Sequence, residues 1–242
     1  MPGKLLVVAT PIGNLSDLSP RAREAFESAD LVACEDTRHT GRLLATLGIR
    51  KRLVSLHEHN ERQRLPGLLA DLEAGRTVAL ASDAGTPLLS DPGYLLVREA
   101  AARGVRVEPI PGPAAPLAAL VASALPPYPF TFAGFPPPRQ GKRRTFYRRF
   151  AALGHTLVLF ESPHRILASL EDALSELGDR PAAVARELTK LHEEVLRGPL
   201  SALLAELSSR PAIKGEIVLV IGAGEAGAAG EAGESSPGAA PE

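Results

Sequence analysis

The sequence predicts an α/β fold, and three observations carry the prediction. Short apolar runs of strand length alternate with helix-length segments through the first half of the chain. Those runs are solidly apolar rather than alternating, as expected for strands buried on both faces of a parallel sheet. Gly- and Pro-rich turns follow several of the runs at their carboxyl ends, where open parallel sheets bind ligands.

In order along the chain, Lys4–Ala9 forms the first apolar run and stops at Thr10-Pro11-Ile12-Gly13-Asn14. Ser19-Pro20 reads as a helix start, with Ser as N-cap and Pro at the first helical position. Leu31–Cys34 is a second strand, ending in Glu35-Asp36-Thr37-Arg38, and a helix through Arg42–Leu47 ends at Gly48. A third strand is expected over Arg52–Leu56, a helix over 61–74, and a fourth strand over Thr77–Ala81, broken by Ser82-Asp83-Ala84-Gly85-Thr86-Pro87. A helix over 94–102 and a strand over 105–110 lead to Pro111-Gly112-Pro113. The second half reads as a helix over 114–124, a proline-rich and aromatic stretch from Pro126 to Pro138, and a basic run. Strands follow at Thr156–Phe160 and near 182–187, 193–197 and 216–221, with a helix over 165–177. We therefore expect an N-terminal α/β domain over 1–113, a C-terminal α/β domain with a mixed sheet over 114–222, and a disordered acidic tail over 223–242.

Composition narrows the function classes. The 242 residues can bury a substantial core, and 45% of them are hydrophobic. No apolar run approaches the roughly 20 residues needed to span a bilayer, so no membrane association is expected. Cys34 is the sole cysteine, which excludes an internal disulfide and a cysteine metal cluster and makes a reducing, cytoplasmic setting the default. The net charge of −1 argues against nucleic acid only superficially. Glu225, Glu231, Glu234 and Glu242 fall in a tail with no Lys or Arg, so the rest of the chain is mildly basic.

Each motif has a functional and a plain structural reading. Thr10–Asn14 lacks the dinucleotide spacing, and no P-loop occurs anywhere; the segment reads as a ligand-approaching loop or a tight turn. Asp83-Ala84-Gly85 can point a carboxylate and backbone N–H groups at a ligand, or cap a helix. Glu35, Asp36 and Arg38 place two carboxylates and a guanidinium at a strand end, as a general base with a phosphate-binding partner or as a surface ion pair. His57 and His59 would share one face of a strand and could seed a metal site, but no third ligand is evident nearby. Ser162 and His164 lack the G-x-S-x-G context of a hydrolase. The densest basic run, Arg139 to Arg149, interleaves Phe146 and Tyr147 among its cations. It reads as an RNA-binding arm using Arg139, Lys142, Arg143, Arg144, Tyr147 and Arg148, or as a solvated amphipathic helix.

Taken in order, these segments resemble one family. They are Val8–Ser19, Glu35–Arg38, His57-Glu58-His59-Asn60-Glu61, Ser82–Pro87, Pro111–Pro113, Phe132–Phe135, Glu161–Arg165, Ala185–Lys190 and Lys214-Gly215-Glu216. The ordered set is similar to the ribosomal RNA small subunit methyltransferase I family, the 16S rRNA cytidine 2′-O-methyltransferases within the tetrapyrrole methylase superfamily. The resemblance covers about residues 4–222. Pro136-Pro137-Pro138 and the Gly/Ala/Glu tail depart from the family pattern.

The resemblance implies a tetrapyrrole methylase-like fold of two α/β domains, a homodimer, and S-adenosylmethionine in a cleft between the domains. It also implies 16S rRNA or the small ribosomal subunit as partner, and methyl transfer without metal. Carried over by motif, the cofactor-contacting residues would be Thr10, Pro11, Gly13, Asn14, Asp83, Ala84, Gly85, Thr86, Pro87, Pro111, Gly112 and Pro113. From the second half they would be Phe160, Glu161, Ser162, Arg186, Glu187, Leu188, Thr189, Gly215 and Glu216. Glu35, Asp36, Arg38 and Lys214 are expected to line the transfer site, with Glu35 or Asp36 as base. Two rival expectations are a tetrapyrrole or other small-molecule methylase on the same fold and a non-catalytic RNA-binding module.

Overall fold

The computed structural model describes residues 3–224. Most of the expected acidic tail, from Glu225 on, lies outside the described residues. The chain divides into two compact units, Met1–Ala115 and Pro116–Glu242.

The first unit holds β1 (Lys4–Val8), α1 (Pro20–Ser28), β2 (Leu31–Cys34), α2 (Thr37–Thr46), β3 (Arg52–Ser55), α3 (Glu61–Glu73), β4 (Val78–Ala81), α4 (Tyr94–Ala102) and β5 (Arg106–Ile110). The five strands form one sheet in the order β3-β2-β4-β1-β5, with every pair parallel. The strand period of two sends alternate side chains to opposite faces. Leu6, Val8, Val32, Cys34, Ala79 and Ala81 pack with Phe26 of α1 and Leu44 of α2. Leu5, Leu31, Ala33, Val78 and Leu80 pack with Leu68 and Leu72 of α3 and Leu96 of α4. Helices cover both faces, which is why the inner strands β2, β4 and β1 read as apolar runs, while the edge strands β3 and β5 carry polar residues. Ser19 caps α1 as expected, its Oγ accepting from the Ala22 N–H at 3.1 Å, with Pro20 at the first helical position.

In the second unit lie β6 (Phe130–Phe132), α6 (Gln140–Arg148), β7 (Thr156–Glu161), α7 (Ile166–Leu177), β8 (Pro181–Arg186), β9 (Glu194–Pro199), α8 (Leu200–Ser208) and β10 (Ile217–Ile221). They are preceded by α5 (Ala115–Ala122), which begins at the unit boundary. The sheet order is β6-β7-β10-β8-β9; β6 and β7 are parallel and the other pairs antiparallel. Tyr147 of α6, Leu170 of α7 and Leu203 of α8 share one core with Leu159, Val184 and Leu219 of the sheet.

Two elements escape the sequence reading. β6 is only three residues long, and α8 begins directly where β9 ends, the Gly198-Pro199 pair closing the strand and Pro199 standing at the N-cap of the helix. A third difference concerns α2, which begins at Thr37 rather than near Arg42 because Asp36 caps it.

Candidate functional site

In a parallel sheet all carboxyl ends lie along one edge. The ends of the neighbouring strands β4, β1 and β5 therefore bring three predicted turns together. Thr10 and Gly85 exchange two backbone hydrogen bonds, at 2.9 and 3.0 Å, and the buried Thr10 Oγ1 donates to the Ser82 carbonyl at 3.2 Å. Thr86 Oγ1 donates to the Pro113 carbonyl at 3.0 Å. Two of the glycines are required by this geometry. Gly85 has φ of +82°, in the left-handed region. A Cβ on Gly112 would stand 2.9 Å from the Ala9 Cβ, so only glycine permits that approach. Thr10, Asp83–Pro87 and Pro111–Pro113 thus form one connected group. Asn14 has a local task as well: its Oδ1 accepts from the Ser16 N–H at 3.0 Å and caps the short 3₁₀ turn Leu15–Asp17.

The acidic residues gather at the same edge, one strand over. β2 lies beside β4, and the Asp36 N–H donates to Asp83 Oδ1 at 3.1 Å. Burial, and then the nearby Asp83 charge, pushes the Glu35 carboxyl above its ordinary range; His57 acts in the opposite direction. Asp36 differs from its neighbour. Its Oδ1 accepts from the Arg38 N–H at 2.8 Å as the N-cap of α2, and Oδ2 pairs with Arg38 Nη2 at 3.0 Å. Those bonds to Arg38 hold the Asp36 carboxyl down at about 2.

Sequence reasoning missed Asp91. Burial, followed by the Glu35 charge, raises its carboxyl to about 6. Its only sequence signal, Ser-Asp-Pro-Gly ahead of a helix, reads as an ordinary turn. Its relation to Glu35, 56 positions away in the chain, is purely tertiary.

The second unit assembles its predicted residues by antiparallel pairing. Ile217, the first residue of β10, faces both Glu161 and Arg186, the last residues of β7 and β8. Phe160–Ser162, Arg186–Thr189 and Lys214–Glu216 therefore meet at one end of the sheet. The Glu187 N–H donates to the Glu216 carbonyl and the Glu216 N–H to Glu187 Oε1, both at 2.9 Å. Lys190 Nζ bridges Glu187 Oε1 at 2.8 Å and Glu216 Oε2 at 3.0 Å. Glu187 and Thr189 both take positive φ, +52° and +67°.

At the end of β7, Glu161 is almost wholly buried. Its Oε1 accepts from the Ser162 N–H at 2.7 Å and pairs with Arg165 at 3.0 Å. Its Oε2 and the Thr189 Oγ1 are buried without a hydrogen-bond partner. Phe160 stacks edge-on with Phe132, ring centroids 5.0 Å apart, and Leu188 is buried. Lys214 is exposed, and its carbonyl accepts from Arg186 Nη1 at 3.2 Å. It belongs to the second unit while Glu35, Asp36 and Arg38 belong to the first, so neither unit by itself contains all four residues expected at the transfer site.

The basic run requires a correction. Most of it forms helix α6, anchored on α7, and two residues assigned to RNA face inward. Arg143, 5% exposed, pairs with the fully buried Asp172 of α7 at 2.8 Å. Tyr147 is fully buried, its hydroxyl 2.6 Å from Ser169 Oγ. The apolar neighbours that suggested base stacking belong to the core: at helical spacing, 143 and 147 share the face that packs on α7. Arg139, Lys142, Arg144 and Arg148 stay exposed, although Arg144 also reaches Asp172 and Arg148 pairs with Glu176.

The remaining candidates assemble no centre. The His57 and His59 rings lie edge to face at 6.1 Å, and among the described residues no group of three or more His, Cys, Asp and Glu side chains is arranged to hold a metal ion. Ser162 Oγ accepts from the His164 backbone N–H at 3.3 Å and makes no hydrogen bond with its ring.

Comparison with known proteins fits this architecture. Residues 4–204 match the family of tetrapyrrole (corrin/porphyrin) methylases. The chain is 52% identical to a ribosomal RNA small subunit methyltransferase I of Mesorhizobium japonicum, over 92% of this chain and 76% of that protein. It is 48% identical to the protein of the same name from Escherichia coli O157:H7, over 90% of this chain and 77% of the relative. A solved uroporphyrin-III C-methyltransferase from Thermus thermophilus, complexed with S-adenosylhomocysteine, shares the fold with a TM-score of 0.64 at 21% identity, covering 91% of this chain and 97% of its own. By sequence, the chain belongs to the ribosomal RNA small subunit methyltransferase I family of tetrapyrrole methylases.

Proposed function

We infer that this protein is an S-adenosylmethionine-dependent methyltransferase that modifies the ribose 2′-hydroxyl of a cytidine in 16S rRNA. The observation that carries this reading is the 52% and 48% identity to proteins named as small-subunit rRNA methyltransferases, spanning about nine-tenths of the chain. The donor set suits the cofactor. S-Adenosylmethionine carries a cationic sulfonium and an ammonium, and the first unit offers Glu35, Asp83 and Asp91 close together. When bound, the cofactor supplies a methyl group already activated for transfer, so the protein's tasks are alignment and removal of a proton.

Glu35 is our choice of base. Its raised affinity for protons suits it to take the hydroxyl proton as the ribose oxygen attacks, whereas Asp36 is held ionised by Arg38. Arg38, most of whose side chain is exposed, and Lys214 are proposed to meet RNA phosphate or the transfer site. The strand-end turns of each unit are proposed as cofactor-contacting segments. Arg139, at the N-cap of α6, and the outward cations Lys142, Arg144 and Arg148 of the helix are proposed to meet the RNA backbone. We place the enzyme in the cytoplasm as a homodimer. No helix among the described residues is long and apolar enough to cross a membrane.

The test incubates the protein with 30S subunits and methyl-labelled S-adenosylmethionine, followed by nucleoside analysis of the 16S rRNA. Label in 2′-O-methylcytidine is the expected result. Cofactor binding without label in rRNA points to a small-molecule methylase; RNA binding without cofactor binding points to a non-catalytic module. Either outcome overturns the reading.

A further inference from the structure

The His57–Glu61 segment has no role in the chemistry above, and its geometry suggests one. The helix α4 starts at Gly93, whose φ is +115° and whose missing side chain leaves room for Leu80; a Cβ there would stand 2.7 Å from Leu80 Cδ2. Gly93 therefore cannot supply a side-chain cap, and α4 has none of its own. Glu61, the first residue of α3, supplies it from elsewhere. Its largely buried carboxylate accepts from the Gly93 N–H at 3.1 Å and from the Leu95 N–H at 2.9 Å through one oxygen.

Glu61 also closes a tightly bonded turn. Asn60 Oδ1 accepts from the His57 N–H at 2.8 Å, and Asn60 Nδ2 donates to the Ser55 carbonyl at 3.2 Å. The turn follows β3, and the loop over 82–93 follows β4. In the strand order β3-β2-β4 these two segments flank the end of β2, where Glu35 stands. That loop holds Leu88 and Ser90 at φ of +74° and +75°, conformations that persist only when the surroundings over-determine them. Its near end is tied by the Thr10–Gly85 and Thr86–Pro113 hydrogen bonds, its far end by Glu61.

We propose that Glu61 is a positioning residue for methyl transfer: by clipping the far end of the 82–93 loop to the turn after β3, it holds Asp91 against Glu35. The proposal rests on the reading of Glu35 as base. Glu61 touches neither reactant and acts through the loop. Replacing it with alanine frees two N–H groups, and a loosened far end lets Asp91 draw away from Glu35 while the Asp36 N–H keeps Asp83 in place; the other charged neighbours of Glu35 are Asp36, His57 and Glu58.

The experiment compares the full-length wild type with Glu61→Ala, Glu61→Gln and Glu61→Asp by amide hydrogen exchange and by the pH dependence of kcat on 30S subunits. In Glu61→Ala, exchange at Gly93 and Leu95 should rise about tenfold or more. At saturating cofactor, kcat should fall about tenfold, and the acid limb of the profile should move to lower pH as the Asp91 carboxylate leaves Glu35. Glu61→Gln keeps an acceptor oxygen and should restore protection and rate. Glu61→Asp keeps charge but lacks reach and should remain impaired. If Glu61→Ala does not fold, the Gln and Asp variants decide the matter. Unchanged exchange across 82–93, an unmoved acid limb, or a Gln variant as impaired as alanine would overturn the proposal. A wild type without methyl transfer would count against the proposed function, and the exchange data would still report whether Glu61 holds the loop.

Discussion

The strand-end clusters of the two units use the same residue types and arrive at opposite electrostatics. In the first unit Glu35, Asp83 and Asp91 lie close to one another, and burial together with these like charges raises the Glu35 and Asp91 carboxyls above their ordinary range. In the second, each acid meets a cation: Glu187 pairs with Lys190, and Glu194 pairs with Arg210 and Arg186, so their carboxyls are held below the ordinary range. A carboxylate matched by Lys or Arg is locked as an anion and serves the fold. A carboxylate that is buried and crowded by its own kind titrates closer to neutrality and can take a proton in a reaction. The comparison separates acids that do chemistry from acids that hold structure, and four measurements can break or sharpen it.

The largest effect should come from the most buried pair. Asp172→Ala leaves Arg143 buried without its partner and should cost about 3–5 kcal/mol by denaturant unfolding. Arg139→Glu with Lys142→Glu, on the outer face of the same helix, should leave stability unchanged. That double variant should weaken RNA binding, and the salt slope should shallow by roughly one per lost phosphate contact. Equal stability losses in both variants would erase the distinction between the two faces of α6.

Next is the base itself. Glu35→Gln should lower kcat by about 100-fold or more while cofactor binding persists, measured by single-turnover methyl transfer. Asp36→Ala should instead lower stability slightly through the lost N-cap and leave methyl transfer largely intact. The reverse ranking would transfer the proton-accepting role to Asp36.

Acid should then separate the units. Glu194, held at about 2 by Arg210 and Arg186, contributes stability that is complete above its ordinary pKa of 4.5 and is lost as pH falls from 4.5 toward 2. Partial solvent exposure limits that contribution to about 1–2 kcal/mol. Glu194→Gln should therefore destabilise at pH 7 and have little effect near pH 2, as read by thermal unfolding across pH.

Asp91 has the opposite sign and the smallest effect. With its carboxyl raised from 3.8 to about 6, the folded state is favoured below 3.8 and loses that advantage as pH rises through 6. Asp91→Asn should stabilise the protein by about 1 kcal/mol at pH 7.5 and by nothing near pH 3.5. A variant destabilised at pH 7.5 would mean that Asp91 is paired after all.

By itself the sequence determined the alternation of strands and helices in the first unit, the positions of its Gly/Pro turns and the family. Each of these is written locally: solid apolar runs mark buried strands, Ser19-Pro20 marks a helix start, and the ordered motifs lie in contiguous residues. It could not separate Glu35 from Asp36, adjacent carboxylates whose difference comes from Arg38 on one side and from burial, then Asp83, on the other. Nor could it show that Arg143 and Tyr147 point inward, because a basic helix with two aromatic residues reads the same until α7 and Asp172 are placed against it. Asp91 and Glu61 were legible only as turn and helix residues, their partners lying 56 and 32 positions away. Burial and charge act through space, so protonation and the inward or outward sense of a helix were settled by the tertiary structure alone.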